Sequence, residues 1–167
     1  IATFCRLRGL PLIPVLDVLT PSLLVGEGFG RIGCFLYGCC YGRACSLPWA
    51  VQFPPDSLTF GQLVRRGVLD AQAAATMPLH PTQLYSSGAA FVLAMILSWY
   101  FRRRPYDGAV LCLAAILYPI SRTGLESLRA DVAAFSVGLK DAEIFSLLLV
   151  AAGVGLSLIH ISEPTRP

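Results

Sequence analysis

The chain has 167 residues, 55% of them hydrophobic and only 14% charged, with a net charge of +3, and its mean hydropathy is +0.65. Soluble domains carry about a quarter charged residues, so the deficit argues for a protein whose solvent is partly lipid. A balance this close to neutral gives no footing for nucleic acid as a partner.

Residue 1 is Ile and no secretory signal peptide opens the chain, so the N-terminus reads as a truncation. Arg6 and Arg8 precede an apolar segment from Leu10 to about Gly33, broken by Pro11, Pro14, Pro21 and several glycines and holding Asp17 and Glu27. A helix needs about 20 mostly apolar residues to cross roughly 30 Å of hydrocarbon. Prolines and acids at that depth are tolerated where helices line a polar cavity. The stretch 43–81 carries Trp49, a Phe53-Pro54-Pro55 turn and a polar run through Arg65 and Arg66, and reads as an exported loop.

The cleanest span runs from Gln83 to Phe101 without a charge. Trp99 and Tyr100 then suit an interfacial belt, and Arg102-Arg103-Arg104-Pro105 suits a stop on the cytoplasmic face. Arg6 and Arg8 share that face if two crossings lie between, which these two segments supply. Another span starts at Gly108, is apolar to Ile120 and continues into Arg122, Glu126 and Arg129, and a last one runs from Ala142 to Gly155. The expected fold class is therefore all-α: a polytopic transmembrane helical bundle with about four spans. Residues 1–155 form one partial domain. The stretch Leu156 to Arg166 matches the translation of a sequencing-library adapter, so residues 156–167 are set aside as non-native. His160 is given no functional weight.

Three constellations carry chemistry. In Gly28-Phe-Gly30-Arg31-Ile-Gly33, running on to Gly38 and Gly42, glycines permit close backbone approach around one arginine. Arg31 there either snorkels to the interface or meets an anion. In His80-Pro-Thr-Gln83-Leu-Tyr85, Pro81 suits a first helical turn, and the polar side chains either cap the helix or line a cavity mouth. In Arg122-x3-Glu126-x2-Arg129 the spacing puts three charges on one helix face. They form either a self-neutralising triad or a phosphate grip in which Glu126 holds both arginines. Twelve of the 13 basic residues are arginine. Its planar fork suits phosphate, although a GC-rich gene produces the same bias.

Six cysteines are present. Cys5 and Cys112 lie in or beside apolar segments, whereas Cys34, Cys39, Cys40 and Cys45 crowd together. Their C-x4-C-C-x4-C spacing matches no usual zinc pattern, and adjacent cysteines rarely share a metal. A structural or disulfide role is favoured, and neither a metal nor a cofactor is expected.

Together and in this order, these motifs resemble the prolipoprotein diacylglyceryl transferase family. The resemblance covers nearly all of residues 10–155. It rests on Gly30-Arg31-Ile32-Gly33 through Gly42 with Asp17 and Pro21 upstream, then Trp49-Ala-Val-Gln-Phe53-Pro54, His80-Pro-x-Gln83-Leu-Tyr85, and Arg122-x3-Glu126-x2-Arg129. It implies a helical bundle of about seven spans in the bacterial inner membrane. The implied reaction moves the diacylglyceryl group of phosphatidylglycerol onto the lipobox cysteine of exported prolipoproteins. Lipid and the signal-peptide region are then the partners, with no nucleic acid. By resemblance Arg31 and Arg122 grip the phosphate, and Glu126 and Arg129 orient or support them. Gly42 keeps the cavity open, and His80, Gln83 and Tyr85 line its entrance, with Asp17, Gly30 and Gly33 completing the substrate site.

Many family members carry Asn where this chain has Cys34, and an acid where it has Cys39 and Ser86, which points to a cysteine-rich branch. The family's His-Gly motif falls before residue 1. That histidine is a candidate thiol-activating base, His80 is no substitute for it, and this stretch alone is expected to be inactive. Two other readings stay open on the residues themselves. One is a membrane transporter or lipid-binding protein using the same arginines without chemistry, and the other is a thiol-redox protein built on the cysteine cluster.

Overall fold

The computed structural model describes residues 1–126 and 128. Five helices follow in chain order: α1 Ala2–Arg8, α2 Leu12–Tyr37, α3 Leu58–Arg65, α4 Thr82–Phe101 and α5 Ala109–Glu126. Among the described residues there is no strand. Two isolated antiparallel bridges tie Ala44 and Val51 to Leu79. The expected span at 142–155, the segment 156–167, Arg129 and the side chain of Glu126 lie outside the described residues.

Helix α2 has 26 residues, about 39 Å at the α-helical rise of 1.5 Å per residue, and is the longest element. The prolines and glycines expected to break it do not. Pro11 stands at its N-cap and Pro14 in its first turn, where no intrahelical donor is lost; Pro21 lies inside the continuous helix. The helix ends only at Gly38, whose φ of +70° suits glycine. There the Gly38 amide donates to Phe35 O and the Cys39 amide to Cys34 O, the double return bond of a Schellman motif.

Helices α2 and α4 are long and apolar enough to cross a membrane, and α5 is a shorter apolar helix beside them. The three pack as a bundle. Their directions follow from the contacts at the two ends. The Cys39 carbonyl, just past the end of α2, accepts from Gln83 in the first turn of α4. Asp17, near the start of α2, meets Arg104 beyond the end of α4. The two helices are therefore antiparallel, and Arg104 and Asp17 share one end of the bundle. This is the geometry of two successive crossings.

Leu24 of α2, Leu93, Ala94 and Leu97 of α4, and Val110 and Ala114 of α5 bury one another in the middle of the bundle. The opposite faces are apolar and exposed, including Leu23, Phe29, Val92, Met95 and Ile120. A helix apolar on both faces belongs in the core of a large protein or in a membrane. Where α2 and α4 are closest, the Gly28 carbonyl accepts from Ser87 Oγ at 2.9 Å. A Cβ on Gly28 would lie 2.7 Å from the Phe91 ring, the small-residue contact typical of helices in lipid.

Asp17 is fully buried. Its Oδ2 accepts from the Gly108 amide at 2.7 Å, and its Oδ1 from the Leu111 amide at 3.0 Å. These are donors that the first turn of α5 leaves without intrahelical partners, so a carboxylate on α2 caps α5 from outside its own sequence. The cap fixes α5 parallel to α2.

The segment 38–81 folds over the other end of the bundle. Tyr41, Phe53, Leu63 and Leu79 form its small core. Ser57 caps α3 by accepting from the Phe60 amide at 3.2 Å, and Thr59 Oγ1 donates to Gly38 O at 2.7 Å, tying α3 to the end of α2. The C-terminal side of α5 reaches this region, where the Arg43 amide donates to Leu128 O at 2.9 Å.

Candidate functional site

Arg31 and Glu27 lie one turn apart on the half of α2 nearer the 38–81 segment. Arg31 Nη2 stands 3.4 Å from Glu27 Oε1, and the same carboxylate oxygen accepts from Tyr118 OH of α5 at 3.2 Å. Glu27 therefore links the two helices. Arg122 lies on the next turn of α5, and both guanidinium groups are within electrostatic reach of the Tyr118 phenol. Glu27, Tyr118, Ser121 and Arg122 line one narrow cavity together with Ser86 of α4. One cation, a carboxylate and three hydroxyls thus line this cavity among apolar helices, and Arg31 pairs with its carboxylate. The 3.4 Å contact is long for an ion pair held by hydrogen bonds.

For Arg31, the carboxylate partner is Glu27 on its own helix. The sequence shows Glu27 only as an acid at membrane depth, and Tyr118 only as the start of a motif. The four-residue spacing of Glu27 and Arg31 is the signal that identifies the pair. Tyr118 has no such signal, because its partner lies on another helix.

His80, Gln83 and Tyr85 sit where the 38–81 segment enters α4. Gln83 is buried, and its Nε2 donates to Cys39 O at 2.6 Å. Thr82 Oγ1 donates to the neighbouring Cys40 O at 2.9 Å. The first turn of α4 thereby clamps the turn after α2. Gln83 Oε1 is buried with no partner among the described residues. Tyr85 OH accepts from Trp49 Nε1 at 2.7 Å and lies 3.4 Å from His80 Nδ1. Helix α4 also connects this group to the arginine cavity, since Gln83 and Ser86, three residues apart, share a face.

The glycines divide by environment. The Gly42 amide donates to His80 O at 3.1 Å, and a Cβ on Gly42 would sit 2.6 Å from His80 Cβ and 2.7 Å from both His80 O and Thr82 Cγ2. Its bareness serves a backbone contact. A Cβ on Gly30 or Gly33 would meet nothing within 4 Å among the described residues. Gly42→Ala is expected to destabilise the chain by about 1–3 kcal/mol through overpacking against backbone. Gly30→Ala is expected to leave stability equal or higher by reducing chain entropy in the unfolded state. Thermal unfolding of the two variants in detergent checks both.

Asp17 stands 14 residues before Arg31, roughly 21 Å away along α2, and the structure does not bring it to the arginine cavity. All six cysteines are free, and Cys5 and Cys112 are buried. Burial, with the neighbouring Cys34 and Cys40 thiols, pushes Cys39 up to about 12. A thiol so shifted is protonated at neutral pH and is a poor nucleophile.

A family model described as prolipoprotein diacylglyceryl transferase matches residues 1–159. Phosphatidylglycerol–prolipoprotein diacylglyceryl transferase of Clostridium tetani is 35% identical over 151 residues, covering 90% of this chain and 55% of that protein. A second protein of that name from Clostridium perfringens is 36% identical over 147 residues, 88% of this chain and 51% of the relative. The Gloeobacter violaceus protein is 34% identical over 157 residues, 92% of this chain and 54% of the relative. The chain thus spans about half the length of the curated relatives it matches. No solved structure matches it.

Proposed function

The chain belongs to the prolipoprotein diacylglyceryl transferase family, and from that premise we propose that its parent protein transfers the diacylglyceryl group of phosphatidylglycerol to the lipobox cysteine of exported prolipoproteins. A carbon–sulfur bond forms at the glyceryl carbon, the bond from that carbon to the phosphate oxygen breaks, and glycerol phosphate departs with the electron pair. The thiol gives up its proton. The setting is the bacterial inner membrane, with several crossings and the 38–81 segment on the exported side.

The Glu27 carboxylate, which pairs with Arg31, accepts from Tyr118 and lines one cavity with Arg122, carries this reading. The leaving phosphate gains charge as the carbon–oxygen bond breaks. Guanidinium forks already in place stabilise that charge without having to reorganise. Charge-assisted bonds contribute roughly 1.5–3 kcal/mol each, which offsets much of the cost of keeping arginine near lipid. Glu27 and Tyr118 hold the site together and release Arg31 to the phosphate. Glu126 and Arg129, further along the chain, support Arg122. Gln83 Oε1 is a buried acceptor available to a lipid hydroxyl or the incoming thiol. His80, Gln83 and Tyr85 form the entrance, with Gly30 and Gly33 on the uncrowded face of α2.

The complete gene, expressed in cells depleted of their own transferase, is expected to restore lipid modification of an exported lipoprotein, read as its mass increase. A full-length protein that inserts in the membrane and restores nothing would sink the reading. The arginines would then belong to an anion-binding or transport protein.

A further inference from the structure

The three thiols of Cys34, Cys39 and Cys40 lie within 4.8 Å of one another at the end of α2, each partly exposed and none in a disulfide. We propose that they form a trithiolate site for a thiophilic divalent cation of the zinc class. This site is separate from the phosphate cavity and does not depend on the function proposed above.

The backbone brings the thiols together in two steps. The Schellman turn at Gly38 stacks Cys39 on Cys34, because the Cys39 amide bonds back to the Cys34 carbonyl at 3.0 Å. Residues in those two positions of the motif are regularly in side-chain contact. Cys40 then adopts φ +59°, in the left-handed region, and is the one described non-glycine residue to do so. Successive side chains of an extended backbone point to opposite sides, whereas this reversal turns the Cys40 thiol toward its neighbour's. The unfavourable backbone is held from outside by Gln83 on the Cys39 carbonyl and Thr82 on the Cys40 carbonyl.

A disulfide explains the cluster less well. Neighbouring Cα atoms are only about 3.8 Å apart, short of the roughly 4.4–6.8 Å that disulfides span, which disfavours a Cys39–Cys40 bond. Either pairing with Cys34 leaves a third thiol in contact, placed to attack the bond. Three thiolates instead supply three of the four tetrahedral positions that zinc takes, and water can fill the fourth. Zinc–sulfur bonds of about 2.3 Å in a tetrahedron put the sulfurs roughly 3.8 Å apart, so each pair closes by about 1 Å or less. On ligation three S–H protons leave and three sulfur–metal bonds form, with no oxidant consumed. The linear spacing hides the site because Cys45 lies outside the cluster and only the turn unites the other three.

The test uses the whole chain in detergent, reduced and stripped of metal, titrated with Zn2+ against a chromophoric chelator. One equivalent is expected to bind and to protect Cys34, Cys39 and Cys40 from alkylation, as located by mass spectrometry, while Cys45 stays reactive. Cys34→Ser, Cys39→Ser and Cys40→Ser are each expected to weaken binding roughly 100-fold or more, and Cys45→Ser not at all. Substoichiometric zinc, or zinc that protects none of the three thiols in the folded wild-type chain, overturns the site without reference to any variant. A Cys34–Cys39 or Cys34–Cys40 disulfide in zinc-free protein isolated without reductant overturns it in favour of a redox pair.

Discussion

Arg31→Ala, made in the full-length protein, is expected to lower the rate of diacylglyceryl transfer by about 10²–10³-fold, the range seen when one preorganised donor to a developing oxyanion is removed. Arg122 lines the cavity from α5, and Arg31, on α2, pairs with the Glu27 carboxylate of that cavity. Arg122→Ala is expected to cost a similar factor. The two losses are not expected to add, since both arginines are proposed to act on one phosphate. Arg31→Lys is expected to fall between wild type and Arg31→Ala. Lysine keeps the charge but loses the planar fork that holds two oxygens at once. Glu27→Gln is expected to be milder, because an amide oxygen still accepts from Tyr118 while the pull on Arg31 is lost. Transfer assayed with phosphatidylglycerol and a lipobox peptide, on variants matched for membrane-inserted protein, checks the series. Near-normal rates in both alanine variants would mean that the arginines anchor the helices at the interface and do no phosphate chemistry.

Asp17→Ala is expected to destabilise the bundle by about 3–5 kcal/mol, the usual effect of removing one partner from a buried charged network. The carboxylate is fully buried; it accepts two α5 amides and lies 3.4 Å from Arg104 Nη1. Its removal strands two donors and a guanidinium together. Arg104 also holds Asp107 at 3.0 Å, so part of its charge remains compensated. Asp17→Asn keeps one acceptor but turns an NH2 group toward a donor, and an intermediate loss is expected. Unfolding of the purified chain in mixed micelles of rising denaturing-detergent fraction measures both. Transfer per folded molecule, measured on the full-length protein, separates capping from contact with lipid. A cap lowers the folded amount and leaves the KM for phosphatidylglycerol unchanged, whereas a residue touching the lipid raises that KM.

Helical class and the segments apolar enough to cross a membrane were legible in the sequence because both rest on local composition. The apolar run from Gln83 to Phe101 followed by three arginines places α4 to within one residue of its observed start at Thr82. Family membership was legible through several short motifs in a fixed order. Helix α2 was harder. Proline and glycine are read as breaks by rules drawn from water, where solvent competes for backbone groups. Helices that span membranes tolerate both, because neighbouring helices and side chains satisfy the freed backbone groups, and α2 runs unbroken to Gly38.

Contacts between helices could not be read from spacing. Arg31 and Arg122 stand out by motif, yet only packing puts Glu27 between Arg31 and Tyr118. Asp17 belongs to the same motif region as Arg31, and only the structure shows it capping a helix 91 residues downstream. Gly42 stands out among the motif glycines, but its reason is the His80 backbone pressed against it. The sequence by itself determined which segments are apolar enough to cross a membrane and which charges stand in them, since apolar content and local periodicity follow from composition. The tertiary structure decided which of those charges meet, because pairing across helices depends on register and direction, and caps and return turns far apart in the chain set both.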